Sequence, residues 1–241
     1  MIILATIITS FGLFLGVLAW PYSRALSSVC FGISLVALGW VAWRQREALL
    51  GALGGTAVLC LLGFLGWSFL LMPWANREAP PQIEQRNPGG TAGAALIVYH
   101  PGRSNLQTEA VTGFADGLAA ADWAVTLATA NSAAPADLTN YDLLVVGAQS
   151  YTWAPAQPVQ AYLRRVGDLA GKPVVAILSG LGETGPATTV MADLIAELNG
   201  KGLEIYHVWQ MRPIDELYGI DDPHAAMYQM AVALAAAWNE R

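Results

Sequence analysis

The chain has 241 residues, with 12 Lys and Arg against 18 Asp and Glu and a formal net charge of −6. Its mean hydropathy is +0.43, and the apolar excess sits in the first third of the sequence. From Asn76 onward nine basic residues stand against seventeen acidic ones, a balance of −8, which disfavours nucleic acid and an anionic membrane surface as partners.

Before Trp20 there is no charged residue, and from Trp20 to Trp74 the only ones are Arg24, Arg44, Arg46 and Glu47. They separate three apolar runs, Ile2–Trp20, Ala25–Trp43 and Ala48–Trp74. Each approaches the ~20 residues that a helix needs to cross a hydrocarbon core. Trp20, Tyr22, Trp40, Trp43 and Trp74 lie at or near the run ends, where amphipathic rings favour headgroups. Gly51, Gly54 and Gly55 would let helices approach closely. The sequence therefore predicts an anchor of three transmembrane α-helices over residues 1–75, with the lipid bilayer as a partner. A cleaved signal peptide is the rival reading of the first run, but no basic segment precedes it and two more runs follow. Arg44 and Arg46 lie on one side, and Arg24, Arg77 and Arg86 on the other. That bias predicts an integral protein of a bacterial cytoplasmic membrane, with the remaining domain on the cytoplasmic side.

Both cysteines, Cys30 and Cys60, fall within the apolar runs, so the rest of the chain can hold no disulfide framework and no thiolate metal site. Residues 76–93 contain REAPPQIEQRNPGG, which has no hydrophobic period and reads as a linker.

Over 94–241 strand-like and helix-like stretches alternate. Ala95–Tyr99, Ala124–Ala128, Asp142–Val146, Pro173–Leu178 and Leu203–Val208 read as buried strands. Thr108–Ala121, Val159–Val166, Val190–Leu198 and Pro223–Asn239 read as helices. The pattern predicts an α/β fold, a five-stranded, parallel, doubly wound sheet, with ligands taken at the carboxyl ends of the strands.

Three loops at those ends carry the chemistry. After the third strand, Gly147, Gln149, Ser150, Tyr151, Thr152 and Trp153 lead to Pro155, Pro158 and a helix. After the fourth come Ser179, Gly180, Gly182 and Gly185. These glycines spell G-x-G-x-x-G, but not after the first strand of a βαβ unit, so a dinucleotide fingerprint is disfavoured. After the first strand come His100, Pro101, Gly102, Arg103, Ser104, Asn105, Leu106, Gln107 and Thr108.

In these loops and in its order of elements the chain resembles the flavodoxin family over roughly Ala95–Trp238. The resemblance implies noncovalent FMN and electron transfer with a membrane redox partner or a quinone. It implies that Tyr151 and Trp153 lie against the flavin ring, with Gln149, Ser150 and Thr152 beside them. Ser179, Gly180 and Gly182 would meet the ring, and His100, Gly102, Arg103, Ser104 and Asn105 would surround the phosphate. The first loop departs from the family, because Pro101, Arg103 and Leu106 stand at hydroxyl positions and Ser104 at a glycine position. Two readings follow: Arg103 replaces the lost hydroxyls with a charge-assisted contact, or the cradle takes no flavin. The second makes the domain a flavin-free binding or regulatory module. A third reading is an FMN-dependent quinone or azo-type reductase.

No catalytic residue and no metal ligand is assigned. His224 with Asp221 and Asp222 is read as the cap and turn opening the last helix. Ser150 and Ser179 lack a nucleophile elbow. Arg164 and Arg165 read as a solvated helix face, and Trp209 as packing.

Overall fold

The computed structural model describes residues 7–9, 11–13, 24–44, 49–102, 105–151, 153–180, 185–209 and 222–239. The chain divides into two compact units, one built on residues up to Trp74 and one on residues from Ala75 onward.

In the first unit, α1 (Arg24–Arg44) and α2 (Leu49–Gly66) are followed by a π-helical turn, Trp67–Leu71, and a single α-helical turn, α3 (Met72–Ala75). The small residue Gly12 meets α1 closely: a Cβ there would lie 2.3 Å from Ser34 Oγ. Ser34 Oγ lies 2.9 Å from the carbonyl of Cys30 and 3.2 Å from that of Thr9. Val36, Phe69 and Leu70 are exposed.

Among the described residues no helix is long and apolar enough to cross a membrane. The expectations of three transmembrane helices and of a place in a bacterial cytoplasmic membrane are corrected accordingly. The apolar runs overstate the helices inside them. The 18 residues of α2 span about 27 Å at ~1.5 Å per residue, short of a ~30 Å hydrocarbon core. Beyond Gly66 the helix passes into the π-helical turn, and α1 carries an Arg at each end. Most of the first run lies outside the described residues.

The second unit is a mixed sheet of seven strands rather than five parallel ones. They are β1 (Ile83–Arg86), β2 (Gly93–Tyr99), β3 (Trp123–Thr129), β4 (Leu143–Tyr151), β5 (Ala154–Pro155), β6 (Pro173–Gly180) and β7 (Lys201–Trp209). The order is β1-β3-β2-β4-β6-β7, with β5 folded back on β4. Five strands are parallel, as the sequence predicts. The two extra ones are antiparallel and come from places that carry no strand signal. β1 lies within residues read as a linker, and its register with β3 runs from Ile83↔Ala128 to Arg86↔Val125. β5 forms a tight hairpin, with Ser150↔Pro155 and Tyr151↔Ala154.

Side-chain alternation along the parallel strands builds two apolar layers. Leu96, Val98, Leu144, Val146, Ala176 and Leu178 face α5 (Gln157–Val166) and α6 (Gly185–Glu197). Ala95, Ile97, Leu143, Val145, Val175 and Ile177 face α4 (Leu106–Ala120) and α7 (Pro223–Asn239). Every one of these strand residues is fully buried, which is why the strands read as continuous apolar runs.

Between β3 and β4 a loop stands where a doubly wound fold would place a helix. Arg165, expected on a solvated face, holds that loop. Its guanidinium donates to the carbonyls of Asn131 (2.9 Å) and Ala134 (2.7 Å). It also lies 5.4 Å from the centre of the Tyr162 ring, whose hydroxyl donates to Pro135 O at 2.8 Å.

On the other face α4 and α7 meet through glycine. A Cβ on Gly113 would fall 2.1 Å from His224 O, and one on Gly117 would fall 2.4 Å from Tyr228 O. Both obstacles are backbone atoms and cannot rotate away. Gly113→Ala and Gly117→Ala should therefore each cost about 1–3 kcal/mol as overpacking. Gly89→Ala, which meets open space, should cost far less; urea unfolding of the three variants checks this.

Burial holds the imidazole of His207, on β7, below its ordinary value of 6.5. The unfolded chain then binds more protons than the folded one as the pH falls past that value. The stability contributed by neutral His207 is complete above it and is lost through the lowered pKa. Unfolding followed between about pH 7.5 and about pH 5 should show a fall that His207→Gln flattens.

Candidate functional site

The parallel strands run in the order second, first, third, fourth, fifth. The chain leaves β2 toward β3 on one side and is joined by β4 on the other. This divergence opens a crevice at the carboxyl ends of β2 and β4, where ligands of such sheets bind. Among the described residues, the buried polar side chains of the second unit collect at that same edge. They are His100 after β2, Gln107 in the first turn of α4, Thr129 and Asn131 at the end of β3, Gln149 on β4 and Ser179 on β6. Two open clefts, of about 390 Å³ beside Ile195, Leu203 and Ile205 and about 560 Å³ beside Asp137, Asp168 and Lys172, contain none of these six.

Several of the six hold a strap, residues 76–82, across the edge. Thr129 Oγ1 accepts from Gln82 N (3.0 Å) and donates to Pro80 O (2.8 Å). Asn131 Nδ2 reaches Ala79 O at 3.3 Å, and Asn76 Oδ1 accepts from Gln157 N at 2.8 Å. His100 links the strap to the loop after β2. Its Nδ1 accepts the N–H of Gly102 at 3.2 Å, so the proton of the neutral ring sits on Nε2, which donates to Arg77 O at 2.9 Å.

The loop itself turns at Gly102, where φ is +72° and a Cβ would lie 2.0 Å from Gln149 Oε1. That oxygen accepts the hydroxyl of Tyr151 at 2.9 Å. Asn105 is exposed at the N-terminus of α4, and its side chain makes no capping bond. Arg103 and Ser104 lie outside the described residues.

On the hairpin, Ser150 and Tyr151 are half-buried, and Tyr151 packs against the apolar layer under α5 and α6. Trp153, at φ +71° beside the hairpin tip, is 51% exposed. Thr152 lies outside the described residues. On β6, Ser179 is fully buried, its Oγ has no hydrogen-bond partner, and Gly180 ends the strand buried. Gly182 lies outside the described residues.

The structure thus gathers His100, Gly102, Gln149, Tyr151 and Ser179 on one edge with Asn105 and Trp153. It also adds Gln107, which the loop comparison passed over. Its helical spacing to Val111, Phe114 and Leu118 was the available signal, since it puts an amide on the apolar stripe. Nor does the sequence reveal the strap.

His224 belongs elsewhere. Its Nε2 lies 2.9 Å from Asp116 Oδ2, and Asp116 also pairs with Arg86, which pairs with Glu84. Asp222 Oδ1 accepts from Ala225 N at 2.9 Å, a cap on α7, while Asp221 and the side chain of Trp209 lie outside the described residues.

No family model and no curated protein matches this chain. Among solved structures it is similar to the Flv1 flavodiiron core from Synechocystis sp. PCC6803, with a TM-score of 0.51 and 14% identity, over 64% of this chain and 38% of that one. It is similar to a flavodoxin from the domain Archaea, with a TM-score of 0.49 and 14% identity, over 61% of this chain and 99% of that one. A third is the flavodoxin of Streptococcus pneumonia TIGR4, with a TM-score of 0.46 and 15% identity, over 60% of this chain and 99% of that one.

Gly102→Ala would put a side chain into the left-handed region and against Gln149. It should cost about 1–2 kcal/mol and open the loop, read as lower thermal stability and faster proteolysis near residue 102. With the order of its parallel strands and its likeness to the flavodiiron core, the second unit has a flavodoxin-like fold.

Proposed function

We propose that the second unit binds FMN noncovalently at the carboxyl edge of its sheet and exchanges electrons with a redox protein or a quinone. The observation that carries this reading is the gathering of its buried polar side chains at the switch point, two of them without a partner for one polar atom. Such atoms are costly in a ligand-free domain and useful in one that takes a polar ligand.

The residues present fit the group. The N-terminus of α4, uncapped by the Asn105 side chain, offers backbone N–H groups to a phosphate. Arg103 and Ser104 are assigned to the same phosphate, with Gly102 shaping the turn and His100 bracing it. Trp153 and Tyr151 are assigned to the ring, with Gln149, Ser150 and Thr152 beside them and with Ser179, Gly180 and Gly182 opposite. When bound, the flavin supplies the redox chemistry, and the chain binds it, orients it and keeps water from it.

One observation favours the second reading, a flavin-free binding or regulatory module. Pro101 has no N–H, and the N–H of Gly102 is committed to His100. Two backbone donors are thereby withdrawn from an anion cradle.

The visible absorbance of the full chain, with and without added FMN and after desalting, separates the two. Retained flavin bands are the expected result. A folded chain that neither retains nor takes up FMN would leave the binding module.

A further inference from the structure

The strap of residues 76–82 is fastened on both sides of the switch point. At its start Asn76 Oδ1 accepts the N–H of Gln157, at the head of α5 just after the β4–β5 hairpin. One residue on, Arg77 O accepts from the His100 ring, just past β2. Farther along, Ala79 O and Pro80 O accept from Asn131 and Thr129 at the end of β3. The strap thus passes from the β4 side to the β2 side, over the line where the crevice opens.

Its fastening is polar. The Thr129 hydroxyl donates to Pro80 O and accepts from Gln82 N at 3.0 Å and Asn131 Nδ2 at 2.8 Å, while Thr129 N donates to Gln82 O at 3.0 Å. That hydroxyl has its one donor and both acceptor positions filled. Apolar anchorage is slight: Arg77, Glu78, Pro80, Pro81 and Gln82 are exposed, and Asn76 and Ala79 are half-buried. A segment held by a few hydrogen bonds near solvent, with no buried apolar side chain, opens at a far lower free energy than the sheet beneath it. Pro80 and Pro81 fix φ, so the strap opens as a stiff piece.

Resting on the reading that the crevice takes FMN, we propose that the strap is a latched cover, which must come away from β3 and α5 before the ligand enters.

The test reads opening and entry separately in the full chain. Opening is read without ligand, as tryptic cleavage of the Arg77–Glu78 bond. Its carbonyl is the one that His100 holds, so the bond is cut from the open strap. Entry is read as the rate of FMN association, followed by quenching of flavin fluorescence. Thr129→Val removes the fastening at one end and Asn76→Ala the fastening at the other, and neither residue is assigned to FMN. Each should speed cleavage about fivefold and FMN association by the same factor, because both rates scale with the open fraction. Asn76→Ala, on the strap itself, decides alone if Thr129→Val does not fold. Faster cleavage with an unchanged association rate overturns the proposal and makes the strap a tether beside an open crevice. Unchanged cleavage in both variants overturns it too. A wild-type chain that takes up no FMN, beside a released variant that does, identifies the strap as the block and supports the proposal. If none of the chains takes up FMN, the flavin reading fails and the proposal with it.

Discussion

The seating of α4 is the constraint on which the carboxyl edge depends. Three glycines permit it. Gly113 and Gly117 let α7 lie against the backbone of α4, and Gly147 leaves room on β4 for the Gln107 amide. Burial of Val111, Phe114 and Leu118 then holds the helix to the sheet, each worth roughly 1.5–3 kcal/mol. With its axis fixed from both sides, the N-terminus of α4 stands over the crevice between β2 and β4. A site that needs backbone N–H groups in one place needs that rigidity, because a helix free to slide would spread its donors over several positions.

The same edge is closed on its other side by hydrogen bonds as well as by apolar packing. The strap lies across the ends of β2 and β3, and the loop between β3 and β4 is held to α5 by Arg165 and Tyr162. Ala130, Ala134 and Leu138 bury that loop in the apolar layer under α5 and α6, and the hydrogen bonds satisfy its own carbonyls. β1 covers the outer edge of β3, and its charges join α4 through Arg86 and Asp116. The outer strand is thus short, mostly exposed and charged, which blunts further pairing.

This division explains how much of the molecule could be read from sequence. The central parallel strands β2, β4 and β6 were legible because both of their faces are buried, so each is a run of apolar residues such as Leu143–Val146. β1 was not, because IEQR carries no buried apolar residue and meets the sheet through its backbone and the Arg86–Asp116 pair. β5 has two residues and no pattern at all. The apolar runs before Trp74 were legible as composition but misleading as spans, since hydropathy does not reveal where a helix ends or turns π-helical. In the site, strand order puts the three loops at the carboxyl ends, whereas the carbonyls that Arg165 holds lie 31 and 34 residues away along the chain and the Arg77 carbonyl that His100 meets lies 23 away. No local spacing reports such contacts. Gln107 lay between: its position was periodic, but its polarity matters only because Gly147 lies beneath it.

His100 shows how a residue with the right location can do a different physical task. It stands next to the loop that any phosphate would approach, and its ring titrates near neutrality in ordinary surroundings. Yet Nδ1 accepts from Gly102 and Nε2 donates to Arg77, so the neutral tautomer with its proton on Nε2 satisfies both neighbours at once. The ring's contribution is to couple the strap to the loop. Whatever ligand the crevice takes meets a loop whose curvature is set at Gly102, on one side by the His100 ring and on the other by Gln149.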